Sequence, residues 1–318
     1  MINLNYKFNE IIGKSQGKYS GFWQLEECEY LIPFTYIKGP KSGKKICISS
    51  GIHSCEYVGI VAAQELSKEI DWTKVIGEII ILHPVNYTGF FAKIPAIFPE
   101  DKENLNRKFP GDKKGTLTER IAYNFSNYLY KHIDFFLDLH GGDLHESITP
   151  LVYYPSFGDE NVVNLSHEVA QHLTVPICVK SGSSKGAYSS GVIQGVPGLL
   201  LERGGSGLWS KKLVEDDKKD VYITLKFFNV YNQCELIKQK NQLEITKATY
   251  IDSRHNGFWY PYYESGDKVK KGNILGIIKD CFSNELEVIY SEYDCIVMYE
   301  TVSLSIQENE PLIAYGEI

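Results

Sequence analysis

Hydrophobic and polar positions follow two different patterns along this chain. Up to about residue 244, short apolar runs are separated by stretches with helical spacing; beyond that only short strands and turns remain. The runs Ile46 to Ser50, Glu78 to Leu82 and Asp134 to Leu139 read as buried strands, since continuous apolar runs of this length suit strands covered on both faces. Leu151–Tyr154, Pro176–Val179 and Gly198–Leu201 repeat the pattern. In Glu56–Ile70 the apolar residues Val58, Val61, Ala62 and Leu66 fall on one face of a helix, as do Ile121, Phe125, Tyr128 and Leu129 in Thr118–His132. Helices are also expected over Asn161–Leu173 and Val214–Lys240. Strands alternating with helices predict an α/β fold, a mixed central sheet with helices on both faces.

The ends and one interior segment depart from this alternation. Residues 1–45 read as a lead-in, with a strand over Tyr30–Ile37 and a turn at Gly39–Gly43. Residues 87–116 carry Pro95, Pro99 and Pro110 and are expected to be irregular; so long a loop in a compact domain is usually functional or disordered. From Ile245 onward the strands are short: Tyr250–Asp252, Gly257–Trp259, Ile274–Ile278, Glu287–Tyr290 and Ile296–Met298. Two domains are expected, an α/β domain over 1–244 and a small all-β domain over 245–318. No internal repeat or low-complexity tract is evident.

Composition narrows the function. A net charge of −7 with no basic run argues against binding nucleic acid through its phosphates. No apolar stretch approaches the roughly 18 residues that cross a bilayer, and the start of the chain lacks the basic and apolar regions of a signal peptide. The seven cysteines are scattered and include no Cys-x-x-Cys, which suits reduced thiols in a cytoplasm. Nothing fixes the oligomeric state, and a homo-oligomer is compatible with the sequence.

Candidate chemistry lies at the strand ends, where open α/β sheets bind ligands. His53 and Glu56 follow the first strand, His140 the third and Glu202 the last. Two imidazoles and a carboxylate with an open fourth position make a catalytic zinc site, so His53, Glu56 and His140 are expected to hold one Zn²⁺. Asp138 lies two residues before His140 on the same strand face, placed to line the site or orient a ligand. His167 and His172 mimic the His-Glu-x-x-His helix but are five residues apart. At about 100° per residue they point away from each other, so they are expected at the surface. His83 and His145 also lie near strand ends and are weaker candidates.

Four elements in order, Gly51-Ile52-His53-Ser54-Cys55-Glu56, Asn104 to Gly111 (Asn-Leu-Asn-Arg-Lys-Phe-Pro-Gly), Asp138-Leu139-His140 and Leu201-Glu202-Arg203-Gly204, resemble the succinylglutamate desuccinylase/aspartoacylase family, a branch of the zinc carboxypeptidase clan. The resemblance covers most of the chain. It implies a zinc-carboxypeptidase-like fold, with His53, Glu56 and His140 as zinc ligands and Glu202 as the general base that moves a proton from a zinc-activated water to the leaving amine. It also implies that Asn106 and Arg107 grip a substrate carboxylate. Zinc chemistry and the planar guanidinium fork agree with these roles.

One departure stands out. Family members commonly carry another arginine before the Asn-Leu-Asn-Arg element, whereas this chain has only Arg107, Arg120, Arg203 and Arg254. Lys93 or Lys102 is the nearest stand-in. The segment Glu264–Gly276 is similar to a hairpin of biotinyl/lipoyl carrier domains but lacks the modified-lysine triplet, so it reads as a barrel-sandwich module narrowing the cleft. From that module, Tyr262 and Tyr263 are candidates to reach the substrate. The favoured function is hydrolysis of an amide in a small carboxylate-bearing substrate, by an N-acyl amino acid deacylase. The alternatives are a carboxypeptidase acting on short peptides and a non-catalytic metal-containing protein that binds carboxylates.

Overall fold

The computed structural model describes residues 4–318, so the first three residues of the expected lead-in lie outside the described residues. The first strands are β1 (Asn5–Tyr6), β2 (Gly17–Gln24), β3 (Leu31–Lys38), β4 (Lys41–Ser50), β5 (Ile76–Leu82) and β6 (Phe135–His140). Then come β7 (Glu146–Ile148), β8 (Leu151–Pro155), β9 (Ile177–Ser181), β10 (Gly198–Glu202) and β11 (Leu243–Ile245). All but β7 form one ten-stranded sheet in the order β1-β2-β3-β5-β4-β6-β10-β8-β9-β11. Its middle, β5-β4-β6-β10, is parallel, while β3 and β8 join that block antiparallel. The sheet is therefore mixed, as the alternation predicts.

Among the described residues seven α-helices accompany it: α1 (Phe8–Ile12), α2 (Tyr57–Glu69), α3 (Tyr87–Ala92), α4 (Leu117–Asn124), α5 (Glu160–Ala170), α6 (Ala187–Ile193) and α7 (Lys211–Phe227). Apolar residues of α2, α5 and α7, among them Leu66, Val169 and Val221, pack on one face of the sheet. Phe8 of α1, Ile121 of α4 and Val192 of α6 belong to the core on the other face. The central strands are mostly buried over the stretches that read as unbroken apolar runs, and every residue of β6 is buried.

The remaining strands are β12 (Ala248–Asp252), β13 (Gly257–Pro261), β14 (Lys268–Val269), β15 (Ile274–Lys279), β16 (Glu285–Tyr290), β17 (Cys295–Thr301), β18 (Ser305–Ile306) and β19 (Pro311–Glu317). They form two antiparallel sheets, β12-β19-β17-β14 and β16-β15-β13-β18, around a core that includes Trp259, Leu275, Val297 and Tyr315. The strand β7 leaves the earlier part of the chain to pair with β17, with Ser147 opposite Glu300. Among the described residues no helix is long and apolar enough to cross a membrane, and all seven cysteines are free.

Several expectations needed correction. The segment 87–116 is not wholly irregular, since it contains α3 and a 3-10 turn over Leu105–Arg107. The helix expected to reach Lys240 stops at Phe227, because Asn229 takes a left-handed φ of 60° and Val230 and Tyr231 turn back into the core. The expected turn at Gly39–Gly43 largely belongs to β4.

Candidate active site

The chain leaves β4 through buried Ser49 and Ser50 and turns at Gly51, whose φ is +67°. A Cβ there would lie 2.4 Å from Pro84 Cβ, so both conformation and space require glycine. The turn presents His53 and leads to Glu56, which immediately precedes α2. Gly59 then lets α2 settle on β6, since a Cβ at that position would sit 2.8 Å from Leu139 Cβ. Glu56 thereby faces the end of β6, where His140 emerges.

Three side chains converge. His53 Nδ1 lies 2.7 Å from Glu56 Oε1, and His140 Nδ1 lies 2.8 Å from Glu56 Oε2. The two imidazole centroids are 5.0 Å apart, and the donor atoms of all three residues fall within 4.8 Å of one another. Glu56 Oε2 is buried and out of line for a hydrogen bond despite its nearness to His140. A carboxylate with one imidazole nitrogen against each oxygen, one of those oxygens orphaned, fits a small divalent cation, and two His with one Glu is a donor set that suits zinc.

Each ring also has an oxygen near its far nitrogen, although neither buried oxygen of Asp138 makes a hydrogen bond. His53 Nε2 lies 3.3 Å from Asn104 Oδ1, and His140 Nε2 lies 3.2 Å from Asp138 Oδ2. This is how metal-ligating histidines are oriented: one ring nitrogen faces the ion and the other an oxygen. The expected alternation on β6 thus brings Asp138 to His140. Burial opposes charge on His140, but Glu56 and Asp138 together outweigh it and hold the pKa well above the ordinary value. Burial likewise pushes Glu56 up, while His140 and His53 pull its pKa down to about 2. The carboxylate stays ionised, as a ligand must.

Glu202 reaches this cluster through strand register. Parallel pairing of β10 with β6 sets Glu202 opposite His140. The next residue locks the strand end: the Arg203 backbone N–H donates to the His140 carbonyl at 3.0 Å. Its buried guanidinium donates through Nε to Asp217 Oδ1 at 2.8 Å and through an amino group to Asp220, both on α7. Glu202 Oε2 is enclosed without a hydrogen-bond partner. Burial raises the Glu202 pKa well above the usual value; His140 opposes that shift, while Glu56, Glu146 and Asp138 add to it.

Asn106 links the cluster to an open cavity. It is buried, its Oδ1 accepts from the Ala187 N–H at 3.0 Å, and its Nδ2 lies 3.4 Å from His140 Nε2. The cavity holds about 800 Å³, and Asn106 and Arg107 form part of its wall. Arg107 Nη1 donates to the Asn106 carbonyl at 3.2 Å, while the rest of its guanidinium has no partner among the described residues.

Other candidates fall elsewhere. His83 is a core residue, its Nε2 3.1 Å from Thr35 Oγ1, and burial drops its pKa to about 4. His145 lines a separate cavity of about 260 Å³ beside Asp143 and Glu146. His167 and His172 lie partly exposed at the surface, one stacked on Tyr154 and the other packed edge-on to Phe227. Lys93 and Lys102 are exposed and form no part of the cavity wall. Tyr262 is 56% exposed, and Tyr263 packs against the β-module core. The module instead contributes Tyr250 and Tyr299 to the cavity, opposite Tyr153. The hydroxyl of Tyr250 donates to that of Tyr153 at 3.3 Å. These tyrosines and Asn104 are what sequence reading missed; the weak signal was a Tyr at each of three strand positions flanking polar breaks.

Comparison with known proteins places the chain in a family. The family model of the succinylglutamate desuccinylase/aspartoacylase catalytic domain matches residues 42–228. An N-alpha-acetyl-L-2,4-diaminobutyric acid deacetylase of Halomonas elongata is 27% identical over 256 residues, covering 79% of this chain and 74% of the relative. The fold is that of the product-bound ectoine utilization protein EutE (DoeB) of Ruegeria pomeroyi (TM-score 0.86, 24% identity, 96% of this chain and 97% of that one). It is equally that of a succinylglutamate desuccinylase/aspartoacylase from Rhodobacter sphaeroides (TM-score 0.83, 22% identity, 96% and 97% covered). The matched region contains His53, Glu56 and His140, and the chain belongs to the succinylglutamate desuccinylase/aspartoacylase family.

Proposed function

We propose that this protein is a zinc-dependent deacylase that hydrolyses the amide of a small N-acyl amino acid. The observation that carries this reading is the convergence of His53, Glu56 and His140, with Glu202 in register beside them. His53 Nδ1, Glu56 and His140 Nδ1 would hold the zinc; Asn104 and Asp138 orient the two rings. Bound zinc supplies Lewis acidity toward a carbonyl and toward water.

The remaining steps belong to side chains. Glu202, when ionised, takes a proton from the attacking water on Oε2 and hands it to the leaving nitrogen, serving as base and then as acid. Asn106 and Arg107 hold the substrate carboxylate, Arg107 through its free fork. A deacylase is favoured over a peptidase because the curated relative is by name a deacetylase. We assign these roles to a catalytic unit over 1–244, with the β module over 245–318 closing one side of the cavity through Tyr250 and Tyr299.

The test is direct. Protein purified without added chelator is expected to carry about one zinc per chain and to release free amine from an N-acyl amino acid panel. Dialysis against a chelator should abolish release and zinc should restore it. Hydrolysis that survives complete metal removal would contradict the proposal.

A further inference from the structure

The strand end that carries Glu202 is tied down more heavily than its place in the sheet requires. Register with β6 already sets Glu202 opposite His140. One residue further on, the guanidinium of Arg203 runs into the core and is held by Asp217 and Asp220 of α7, both fully buried. The two acids are three residues apart and so share one face of the helix. Asp220 also accepts the Thr174 N–H just ahead of β9. A planar fork with an acceptor on each of two prongs therefore fastens β10 to α7.

Stability alone does not account for this cluster. Two carboxylates share one cation, and Asp217 Oδ2 is enclosed without a hydrogen-bond partner. Burial raises the Asp217 pKa to about 7 although Arg203 pulls it down, and burial raises that of Asp220 too. Buried ion clusters are often no more stable than well-packed apolar residues of similar volume. What a rigid fork adds is direction, because it permits a single placement of the strand end. The same helix also grips α2. Lys218, between the two acids, donates through Nζ to Glu65 at 2.9 Å and to Glu69 at 2.7 Å. Val214 of α7 packs with Val58 and Ala62 of α2, and α2 starts directly after Glu56. One helix thus holds both the element that follows Glu56 and the strand that ends in Glu202.

We propose that α7 is a brace that fixes Glu202 against the metal-ligating cluster, and that Arg203 is the positioning residue through which it acts. This rests on the role of Glu202 in the deacylase reading and adds that the base is aimed from outside the cavity. Arg203 forms no part of the cavity wall, so it acts only through its neighbour.

Arg203→Lys keeps the charge and removes the fork, and two measurements on the full chain read the result. The first is amide hydrogen exchange on metal-free protein. The N–H groups of Arg203 and Gly142 donate to the His140 and Gly204 carbonyls, so they report on this strand end. Exchange at both is expected to speed up about ten-fold or more, with β5 protected as before. The second is turnover of an N-acyl amino acid by the zinc-loaded chain. A misplaced base weakens only the transition state, so kcat should fall by about ten-fold or more while KM and zinc content stay as they were. Unchanged exchange at the two amides, a rise spread evenly over the sheet, or a native kcat would each overturn the inference. Should Arg203→Lys fail to fold, the triple substitution Arg203→Met, Asp217→Leu and Asp220→Leu replaces the cluster by apolar side chains. A folded, zinc-loaded triple variant with lowered kcat upholds the brace. Native kcat, or failure to fold, marks the cluster as a stability element and overturns it. If the native chain hydrolyses no N-acyl amino acid, the deacylase reading fails, and the exchange measurement still decides whether α7 fixes the strand end.

Discussion

Asn104 and Asp138 stand outside the proposed ligand set, yet they lie against the rings within it. Each places an oxygen against the outer nitrogen of one histidine. Removing such partners typically weakens metal binding about 10–100-fold, so Asn104→Ala should do so in a chelator competition while leaving the far-ultraviolet spectrum unchanged. Arg107 offers a second residue-level test. Replacing its fork by the point charge of Lys should raise KM several-fold with little change in kcat, because the carboxylate is held equally in ground and transition states. At this scale the charged residues were legible in the sequence: His53, Glu56, His140 and Glu202 all sit at strand ends, where a folded α/β sheet gathers ligands. Asn104, Tyr153, Tyr250 and Tyr299 were not. Neutral polar and aromatic residues are common in strands and loops, and their convergence depends on how the β module docks.

The elements that hold the site do so by close approach. Only a glycine at position 59 lets α2 lie against Leu139, and this contact aims Glu56 at His140. Gly59→Val should therefore destabilise the fold by about 1–3 kcal/mol through overpacking and lower zinc occupancy as well, measured by thermal melting and metal analysis. Strands β4, β5, β6 and β10 were legible because burial on both faces leaves uninterrupted apolar runs. The helix α6 was not, since Ala187–Ile193 contains two serines and a glycine and has little helical preference of its own. Packing against β6 and β10 imposes it. The overlong forecast for α7 has the same origin: Val230 and Tyr231 continue an apolar rhythm but bury themselves after a left-handed turn at Asn229.

Across the whole molecule, β7 ties the two parts together by pairing with β17, and Glu300 is buried at that seam, 3% exposed. Burial raises its pKa from 4.5 to about 7, outweighing its bonds to Ser147 and Ser265. A raised carboxyl pKa means the folded state prefers the protonated form. Its contribution is intact below 4.5 and is lost as pH rises through about 7. Glu300→Gln is thus expected to gain about 1–3 kcal/mol over the native chain at pH 8, with the difference vanishing near pH 4, as read by denaturant unfolding at both values. The mixed sheet and the β-rich ending were readable from the switch in hydrophobic pattern near residue 245. The crossing of β7 was not, because three half-buried residues carry too little pattern to name a partner strand.

The central claim is that Glu202 carries the proton while His53, Glu56 and His140 hold the metal. Glu202→Gln keeps the shape and removes the titratable group. Zinc content and hydrolysis rate measured on one preparation of this variant decide the matter. About one zinc per chain with turnover reduced by roughly 10²–10⁴-fold is the predicted result. Retained zinc with turnover close to that of the native chain would contradict it.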